Sequence, residues 1–278
     1  MNINSLSGLA GLQQQQDLQK SNAKLGAAIA ALASGNRLTS ASTDISSLSV
    51  ASQLQSAVSG LRQASGNIAQ ASSLAQVAGG GISQIQDIAQ QLKTLAQQAA
   101  SPILNEDNRR DLNEQFQQLV KQIDSVASNT NFNGKKLLNG DLSGSASLSL
   151  GSLLSSEPTD SAVLSIANLS SESLFSGNTL DLNSQDGASN AFSTLSDALD
   201  KLTAANADVG TFLQSADYAA ANIDTAIANQ EAARSTLQDT DFAEAASLQS
   251  QATLQQNAAI AVAAQGNRLT PAILQLIG

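Results

Sequence analysis

This chain of 278 residues contains no cysteine, no histidine and no tryptophan. Without thiols or imidazoles it cannot form disulfides, zinc sites of the usual ligand types or a histidine general base. A Gly-x-Ser-x-Gly turn, a phosphate-binding loop and a Gly-x-Gly-x-x-Gly pattern are also missing from the sequence. The sequence therefore predicts a protein that is not an enzyme and that has no catalytic residues, no cofactor and no metal site.

Positive charge is scarce as well. The chain carries 13 Lys and Arg residues against 23 Asp and Glu residues, a formal net charge of −10 at pH 7. Nucleic acids bind to basic surfaces, so we expect no nucleic-acid partner. The charge-free stretch 245–267 is too rich in Gln and Ser to lie in a bilayer, so we expect no membrane insertion. Residues 1–16 lack a basic region and a long apolar run, which predicts no cleaved secretion signal.

One long apolar pattern dominates what is present. From Leu54 to Ala99, apolar residues recur at alternating three- and four-residue spacing without a polar interruption. A heptad pattern held in phase this long is typical of a helix that winds around partner helices. At 1.5 Å per residue, a helix from Ile45 to Ala99 is roughly 80 Å long, which predicts a rod. The glycines at 79–81 each cost about 1 kcal/mol in a helix interior, but the pattern does not slip across them.

A second heptad run, from Ala205 to Leu237, can pair with the first after a chain reversal. The predicted seam of the rod includes residues from both runs, namely Leu54, Leu61, Ile68, Ile82, Ile85, Leu92 and Ile223, and the pattern also takes in Ala57. A thinner stripe of Leu74, Val77, Ile88 and Leu95 flanks the seam. This stripe indicates that the first long helix is covered on more than one side.

Shorter segments complete the predicted fold. A first helix runs from about Asn4 to Ser34, Thr43 or Asp44 caps the long helix, and a third helix covers residues 105–127. Between residues 141 and 186, Ser, Gly and Asn alternate with apolar residues, which is typical of short strands and loops; a flexible linker is the alternative. Leu164 with Ile166, and Leu180 with Leu182, are candidate strand residues. The predicted fold is mainly α, a long coiled-coil helical rod formed by the N- and C-terminal halves, with a small β/loop region in the middle.

The two terminal helices are rich in Ala and Gln and poor in charge, and the last is predicted to end near Gln265. Residues 258–264 are apolar on every side, and such a helix must be buried on every side. One partner helix cannot cover that much surface, so the terminal helices predict a core built from several subunits. The candidate subunit-packing residues are Leu25, Ile29 and Leu32 in the first helix and Leu248, Leu254, Ile260 and Val262 in the last.

Motifs at both ends of the chain carry a family resemblance. The N-terminal motifs are Asn4-Ser5-Leu6-Ser7, Leu25-Gly26-Ala27-Ala28-Ile29, Leu32-Ala33-Ser34-Gly35 with Arg37, and Asn131-Phe132-Asn133-Gly134. The C-terminal motifs are Ala232-Ala233-Arg234-Ser235, Asp239-Thr240-Asp241-Phe242-Ala243 and Gln251-Ala252-Thr253-Leu254-Gln255-Gln256. Because these motifs occur at both ends and in the right order, the chain resembles the bacterial flagellins over well more than half its length.

The resemblance implies a domain arrangement. Residues 1–42 and 239–278 would form the two halves of an inner core domain. Residues 43–140, a long helix hairpin, and the long helix 187–238 would form an outer core domain. Residues 141–186 would be a short variable region.

The resemblance also implies a function. The chain would be a structural subunit that self-assembles into the bacterial flagellar filament for swimming motility. It would be secreted by type III export to the extracellular flagellum. The expected partners are further copies in a helical homopolymer, a flagellar export chaperone, and cap or junction proteins.

Two alternative functions fit the sequence less well. A hook-filament junction protein is similar at its termini but does not polymerise at length. A flagellin-like surface protein that binds glycans would use the region 141–186, but Phe175 is the only aromatic residue there, and a packed Phe is the better interpretation.

The resemblance further locates a region that is read by the innate immune receptor for flagellin. The family motif Gln-Arg-Val-Arg-Glu-Leu-Ala-Val-Gln corresponds to residues 90–98, where Leu95 matches but Gln91 replaces the first arginine and Thr94 the glutamate. In the following helix, Gln115 stands where related sequences often carry a glutamate. Neutral amides form weaker hydrogen bonds than charged groups, so we expect weak receptor activation.

Overall fold

A computed structural model of the chain describes residues 3–38, 44–141, 143, 148–149 and 163–277. These residues form helices α1 (Ile3–Ser34), α2 (Ile45–Ala99), α3 (Glu106–Asn129), α4 (Ser171–Leu174), α5 (Gln185–Gln238) and α6 (Phe242–Ile277). Two antiparallel strand pairs join β1 (Asn131–Phe132) to β2 (Lys135–Lys136) and β3 (Leu148–Ser149) to β4 (Val163–Leu164). The prediction of a mainly α fold with a small β/loop region in the middle is confirmed.

The chain divides into two compact units. Unit 1 comprises residues 1–59 and 228–278, and unit 2 comprises residues 60–227. Both α2 and α5 contribute residues to each unit.

In unit 2, α2 and α5 run antiparallel. A Cβ atom on Gly79 would lie 3.3 Å from Cγ1 of Val209, and Nζ of Lys93 lies 4.9 Å from the ring centroid of Phe192. Residue numbers therefore fall along α5 as they rise along α2. The predicted seam residues Ile68, Ile82, Ile85, Leu92 and Ile223 are all buried in one core, and Leu61 packs half-buried against it.

Helix α3 folds back beside α2. Its first turn is fixed by Asn105, whose side-chain oxygen accepts a hydrogen bond of 2.8 Å from the N–H of Asn108, and by acidic residues that favour a helix N-terminus. Its apolar face buries Phe116 and Ile123 in the core of unit 2. At the turn, the buried Arg109 donates to two backbone carbonyls, Nε to Ala99 (3.0 Å) and a terminal nitrogen to Ser101 (2.9 Å). Arg109 thus provides a hydrogen-bond donor to the Ala99 carbonyl, which has no partner within α2, and to the Ser101 carbonyl in the turn.

The chain after α3 crosses α2 closely at Gly81. A Cβ atom at this position would lie 2.7 Å from Oγ1 of Thr130 and 2.8 Å from Cδ1 of Leu138. Only glycine permits this approach. Gly81 lowers the helix propensity of α2 at this point, and it also allows the residues that flank the β1–β2 hairpin to pack against α2. Helix α2 nevertheless continues unbroken through all three glycines.

Residues 163–182, which we call the strap, pack into the core of unit 2. Their buried side chains are Leu164, Ile166, Leu169, Leu174, Phe175 and Leu182. Three residues of α3 hold the strap. The carboxylate of Asp124 accepts from the N–H (2.8 Å) and hydroxyl (2.9 Å) of Ser171. Gln117 donates to the carbonyl of Leu180 (2.8 Å), and the Asn113 oxygen accepts from the N–H of Leu182 (3.0 Å).

Unit 1 contains α1 and α6, which also run antiparallel. The Thr240 N–H, just before α6, donates to the Gly35 carbonyl (3.0 Å), and the Ser21 hydroxyl donates to the Ala252 carbonyl (3.2 Å), so residue numbers fall along α1 as they rise along α6. The Gln256 amide also donates to the Asn22 oxygen (2.9 Å). The buried residues of the pair are small, namely Ser21, Ala28, Ala245 and Ala252, so the two helices lie close together.

The chain segments that connect to α1 and α6 bind each other; we call residues 35–38 with 238–241 the joint. The Arg37 N–H donates to the Gln238 carbonyl (2.7 Å), and its guanidinium donates to the Leu237 carbonyl (2.8 Å). In the reverse direction, the Thr240 N–H donates to the Gly35 carbonyl (3.0 Å). Gly35 has a φ of 67°, which suits the glycine stop predicted for the first helix.

Asp44 caps α2, as one of the two predicted candidates. Its carboxylate accepts from the N–H of Ser47 (3.1 Å) and from the hydroxyls of Ser46 (2.7 Å) and Ser47 (2.5 Å). The bonds from Ser47 and Ser46 stabilise the charged form and hold the pKa of Asp44 well below its usual range. The other candidate, Thr43, lies outside the described residues.

Three local predictions are wrong. Ala57 is exposed and Val58 is buried instead, because a helix of 3.6 residues per turn drifts against a heptad pattern. No strand forms around Leu180 and Leu182, since side chains of α3 take their backbone bonds. Helix α6 does not end near Gln265 but continues through Pro271 to Ile277, since the residues after Pro271, Ala-Ile-Leu-Gln-Leu, are mostly strong helix formers.

Candidate assembly surfaces

Helix α6 exposes large apolar side chains although it is paired with α1. Leu254 is 70% exposed, Val262 60% and Ile260 53%, and Leu248 is also exposed. Of the other predicted packing residues, Ile29 on α1 is exposed, while Leu25 and Leu32 are half-buried. The single contact with α1 therefore leaves most of this apolar surface in water.

The exposed residues of α6 point in different directions. At about 100° per residue, Leu254, Ile260 and Val262 are separated from one another by roughly 80° to 160° around the helix axis. The buried Ala252 marks the side that faces α1. Leu254 points roughly 160° away from Ala252, and Ile260 and Val262 lie roughly 80° to either side of it. One further flat partner could not cover all three side chains.

A groove of about 400 Å³ lies between α1 and α6. Ala28, Ala31, Leu248 and Ala252 contribute apolar walls. Its lining also includes two basic and two acidic side chains, namely Lys24, Arg37, Asp241 and Glu244. The groove can therefore receive an apolar side chain and offers charges of both signs to what surrounds it.

The three receptor-region residues meet at one surface of unit 2. Gln91 and Leu95 from α2 and Gln115 from α3 line a groove of about 510 Å³, together with Thr94, Gln118, Leu119 and Gln122. Gln91 and Gln115 are exposed, and Leu95 is half-buried. No charged side chain lines this groove, which matches the loss of charge noted in the sequence.

The seam residues Leu54 and Ile223 lie in different units, and two structural features had no signal in the sequence. Leu54 is half-buried in unit 1, and Ile223 is buried in unit 2. The exposed Ile103 at the α2–α3 turn carried no pattern that could have marked it. The side-chain bonds between α3 and the strap join residues about 50 to 70 positions apart, and no local signal could predict them.

The described ranges contain neither a metal-binding cluster nor a membrane-spanning helix. Within residues 3–38, 44–141, 143, 148–149 and 163–277, no cluster of three or more acidic residues could hold a metal ion. In the same part of the chain, no helix has the length and apolar character needed to cross a membrane.

Comparison with known proteins shows which family the chain belongs to. Residues 6–143 match the family model of the bacterial flagellin N-terminal helical region, and residues 192–277 match that of the C-terminal helical region. The flagellar filament 31.3 kDa core protein of Treponema maltophilum is 27% identical over 100% of this chain and 96% of its own length. Flagellin FlaB1 of Treponema pallidum is 28% identical over 97% and 98%. The flagellin of Halalkalibacterium halodurans is 28% identical over 88% and 89%.

These matches extend over both ends of the chain and nearly the whole length of the relatives. The alternatives of a junction protein and a glycan-binding surface protein gain no support from them. The predicted family and the predicted structural, non-enzymatic function are confirmed. The chain belongs to the bacterial flagellin family and is a structural subunit of a flagellar filament.

Proposed function

We propose that neighbouring copies of this chain cover the open faces of α6 and that this burial drives filament growth. The observation that carries the proposal is the set of apolar side chains that α6 exposes beyond its contact with α1. Fully burying a Leu, Ile or Val side chain contributes about 1.5–3 kcal/mol. Leu254, Ile260 and Val262 together thus supply several kcal/mol for each added copy.

An open polymer fits this surface better than a closed dimer. A twofold dimer buries one patch of each subunit against the same patch of the other. The apolar residues of α6 face at least three directions, so a dimer would leave some of them exposed. Head-to-tail contacts that repeat along a helix place a different neighbour on each face.

The predicted division of the chain serves this assembly. We assign residues 1–42 and 239–278 to an inner domain, in which the packing residues of α1 and α6 meet those of other copies. Residues 43–140 and 187–238 form an outer domain whose seam holds the subunit together. In the region 141–186, the strap belongs to the core, so the variable portion lies before residue 163.

Secretion and accessory partners follow from the same surface. Before assembly, an export chaperone would shield the exposed apolar faces of α6 from water. At the growing end of the filament, a cap or junction protein would bind the same faces. The expected location is the extracellular flagellum. Fractionation of cells that express the chain should place it with sheared filaments, and retention inside cells with an intact export apparatus would contradict the assignment.

Electron microscopy of the purified chain tests filament growth. The chain should elongate from seeds, whereas Ile260→Asp should not, because an unpaired carboxylate in a desolvated contact costs several kcal/mol. Asn190→Asp is the matched control: it also adds one negative charge at an exposed helix position, in unit 2, and should elongate. Normal filaments from Ile260→Asp would exclude burial of this site.

Weak recognition by the innate immune receptor for flagellin is a second proposal. The uncharged groove around Gln91, Leu95 and Gln115 supports it. Loss of a charge-assisted contact at an interface centre can cost about 2 kcal/mol, well over tenfold in affinity. Gln91→Arg with Thr94→Glu should partly restore activation in a reporter assay, and full potency of the unmodified monomer would refute the proposal.

A further inference from the structure

One face of α2 is covered along only part of its length in unit 2. Leu74, Val77, Gly81, Ile88 and Leu95 follow each other at three-, four- or seven-residue spacing and therefore share this face. Thr130 and Leu138 cover it at Gly81. Beyond that point, beside α3, Ile88 is 6% exposed. On the other side of Gly81, towards Gly60, Val77 is 40% exposed and Leu74 is half-buried.

The β1–β2 hairpin is basic, and its flanking residues Thr130 and Leu138 meet α2 at Gly81, where the uncovered stretch begins. Strand β2 consists of Lys135 and Lys136, and both side chains are exposed. Neither lysine has an ion-pair partner within 4 Å among the described residues of the chain. We call the apolar patch of Leu74 and Val77, together with these two lysines of the neighbouring hairpin, the step.

The α2–α3 turn, beyond the C-terminal end of α2, has complementary features. Ile103 is 91% exposed, more than any other large apolar side chain whose exposure the structure describes. Glu106, Asp107 and Asp111 follow it, all exposed. Asp107 pairs with Arg110 at 3.0 Å, which leaves Glu106 and Asp111 to interact with other charges. We call Pro102, Ile103 and these acidic residues the tip.

We propose that the tip of one copy docks on the step of the next copy along the filament. Ile103 then covers Val77 and Leu74, and the acidic residues of the tip meet Lys135 and Lys136. The inference rests on the proposed filament function and specifies which surfaces join successive subunits. Apolar burial at the centre and opposite charges at the rim are the usual arrangement of a specific interface.

This contact cannot form within one chain. Residue 77 is separated from the end of α2 by 22 residues, or about 33 Å of helix. A disulfide requires Cα atoms within about 7 Å of each other. Because the chain contains no cysteine, two introduced cysteines report contact between copies only.

The test is the variant Val77→Cys/Ile103→Cys, polymerised under reducing conditions and then oxidised. A ladder of disulfide-linked multimers on a non-reducing gel is expected from filaments, and monomer alone is expected from the unpolymerised chain. The matched control Tyr218→Cys/Ile103→Cys should give no ladder, since Tyr218 is exposed on α5 and points about 160° away from the buried Ala216.

The outcomes separate the contact from the filament function. Filaments that contain the cysteine pair but yield only monomer would overturn the contact and leave the filament function intact. Failure of the unmodified chain to polymerise would overturn both.

If the introduced cysteines themselves prevent elongation, charge variants test the contact between tip and step. Lys135→Glu/Lys136→Glu should slow elongation at least tenfold, and adding Glu106→Lys/Asp111→Lys should restore most of the rate. An unchanged rate in the first variant, or no recovery in the second, would overturn the contact.

Discussion

At the scale of single residues, Gly81 decides how closely the chain after α3 approaches α2. Gly80 beside it has open space around the position of a Cβ atom, whereas at Gly81 the side chains of Thr130 and Leu138 occupy that space. The sequence shows three consecutive glycines and cannot tell which one matters, because the difference depends on residues about 50 positions away.

Alanine substitutions at these two glycines should have opposite effects. Gly80→Ala should stabilise the chain by about 0.5–1 kcal/mol, the usual gain in helix propensity. In Gly81→Ala the same gain is offset by overpacking, which costs about 1–3 kcal/mol, so the variant should be less stable than the unmodified chain. Urea unfolding of the monomers measures both values, and equal stabilisation by the two substitutions would contradict the close approach.

Arg109 and Arg110 form a second neighbouring pair with unequal roles. Arg109→Ala removes donors to the buried Ala99 carbonyl and to the Ser101 carbonyl in the α2–α3 turn, and should cost about 2 kcal/mol. Arg110→Ala removes one exposed ion pair and should cost less than about 1 kcal/mol. Thermal melts of both variants provide the comparison, and similar losses would show that Arg109 does not hold the α2–α3 turn.

At the scale of elements, the long helices could be predicted and the strap could not. Packing between long helices requires apolar residues at heptad spacing, so the sequence could predict the seam. Its residues Ile68, Ile82 and Leu92 are buried. The strap has no repeating pattern. Its backbone is held by Asn113, Gln117 and Asp124, which share one side of α3 but are distant in sequence. Its place in the core was therefore hidden within a Ser-rich stretch.

Core packing of the strap predicts a large loss of stability in Leu174→Ala. Truncation of a buried Leu costs about 2–5 kcal/mol through lost burial and the cavity left behind. Val163→Ala, at an exposed position of the same segment, should cost much less. Urea unfolding measures both, and a negligible effect of Leu174→Ala would mean that the strap is peripheral to the subunit.

At the scale of the whole molecule, the residues of α6 that the sequence predicts to pack between subunits remain exposed in a single subunit. The apolar residues of α6 look misplaced on one chain, since Leu254, Ile260 and Val262 lie in water. Neighbouring copies, as proposed, would remove these side chains from water. The sequence could not predict the proposed contact between tip and step. Ile103 is a single apolar residue without periodicity, and only the fold shows which part of the stripe that contains Val77 is uncovered.

Thiol protection at position 260 tests the central claim most directly. In the cysteine-free background, Ile260→Cys introduces a single reactive thiol at a site that is 53% exposed in the subunit. We expect a thiol-reactive label to modify the monomer fully, to leave the filament at least tenfold less modified, and to react again after the filament is dissociated. Equal labelling of monomer and filament would contradict burial of α6 by neighbouring copies.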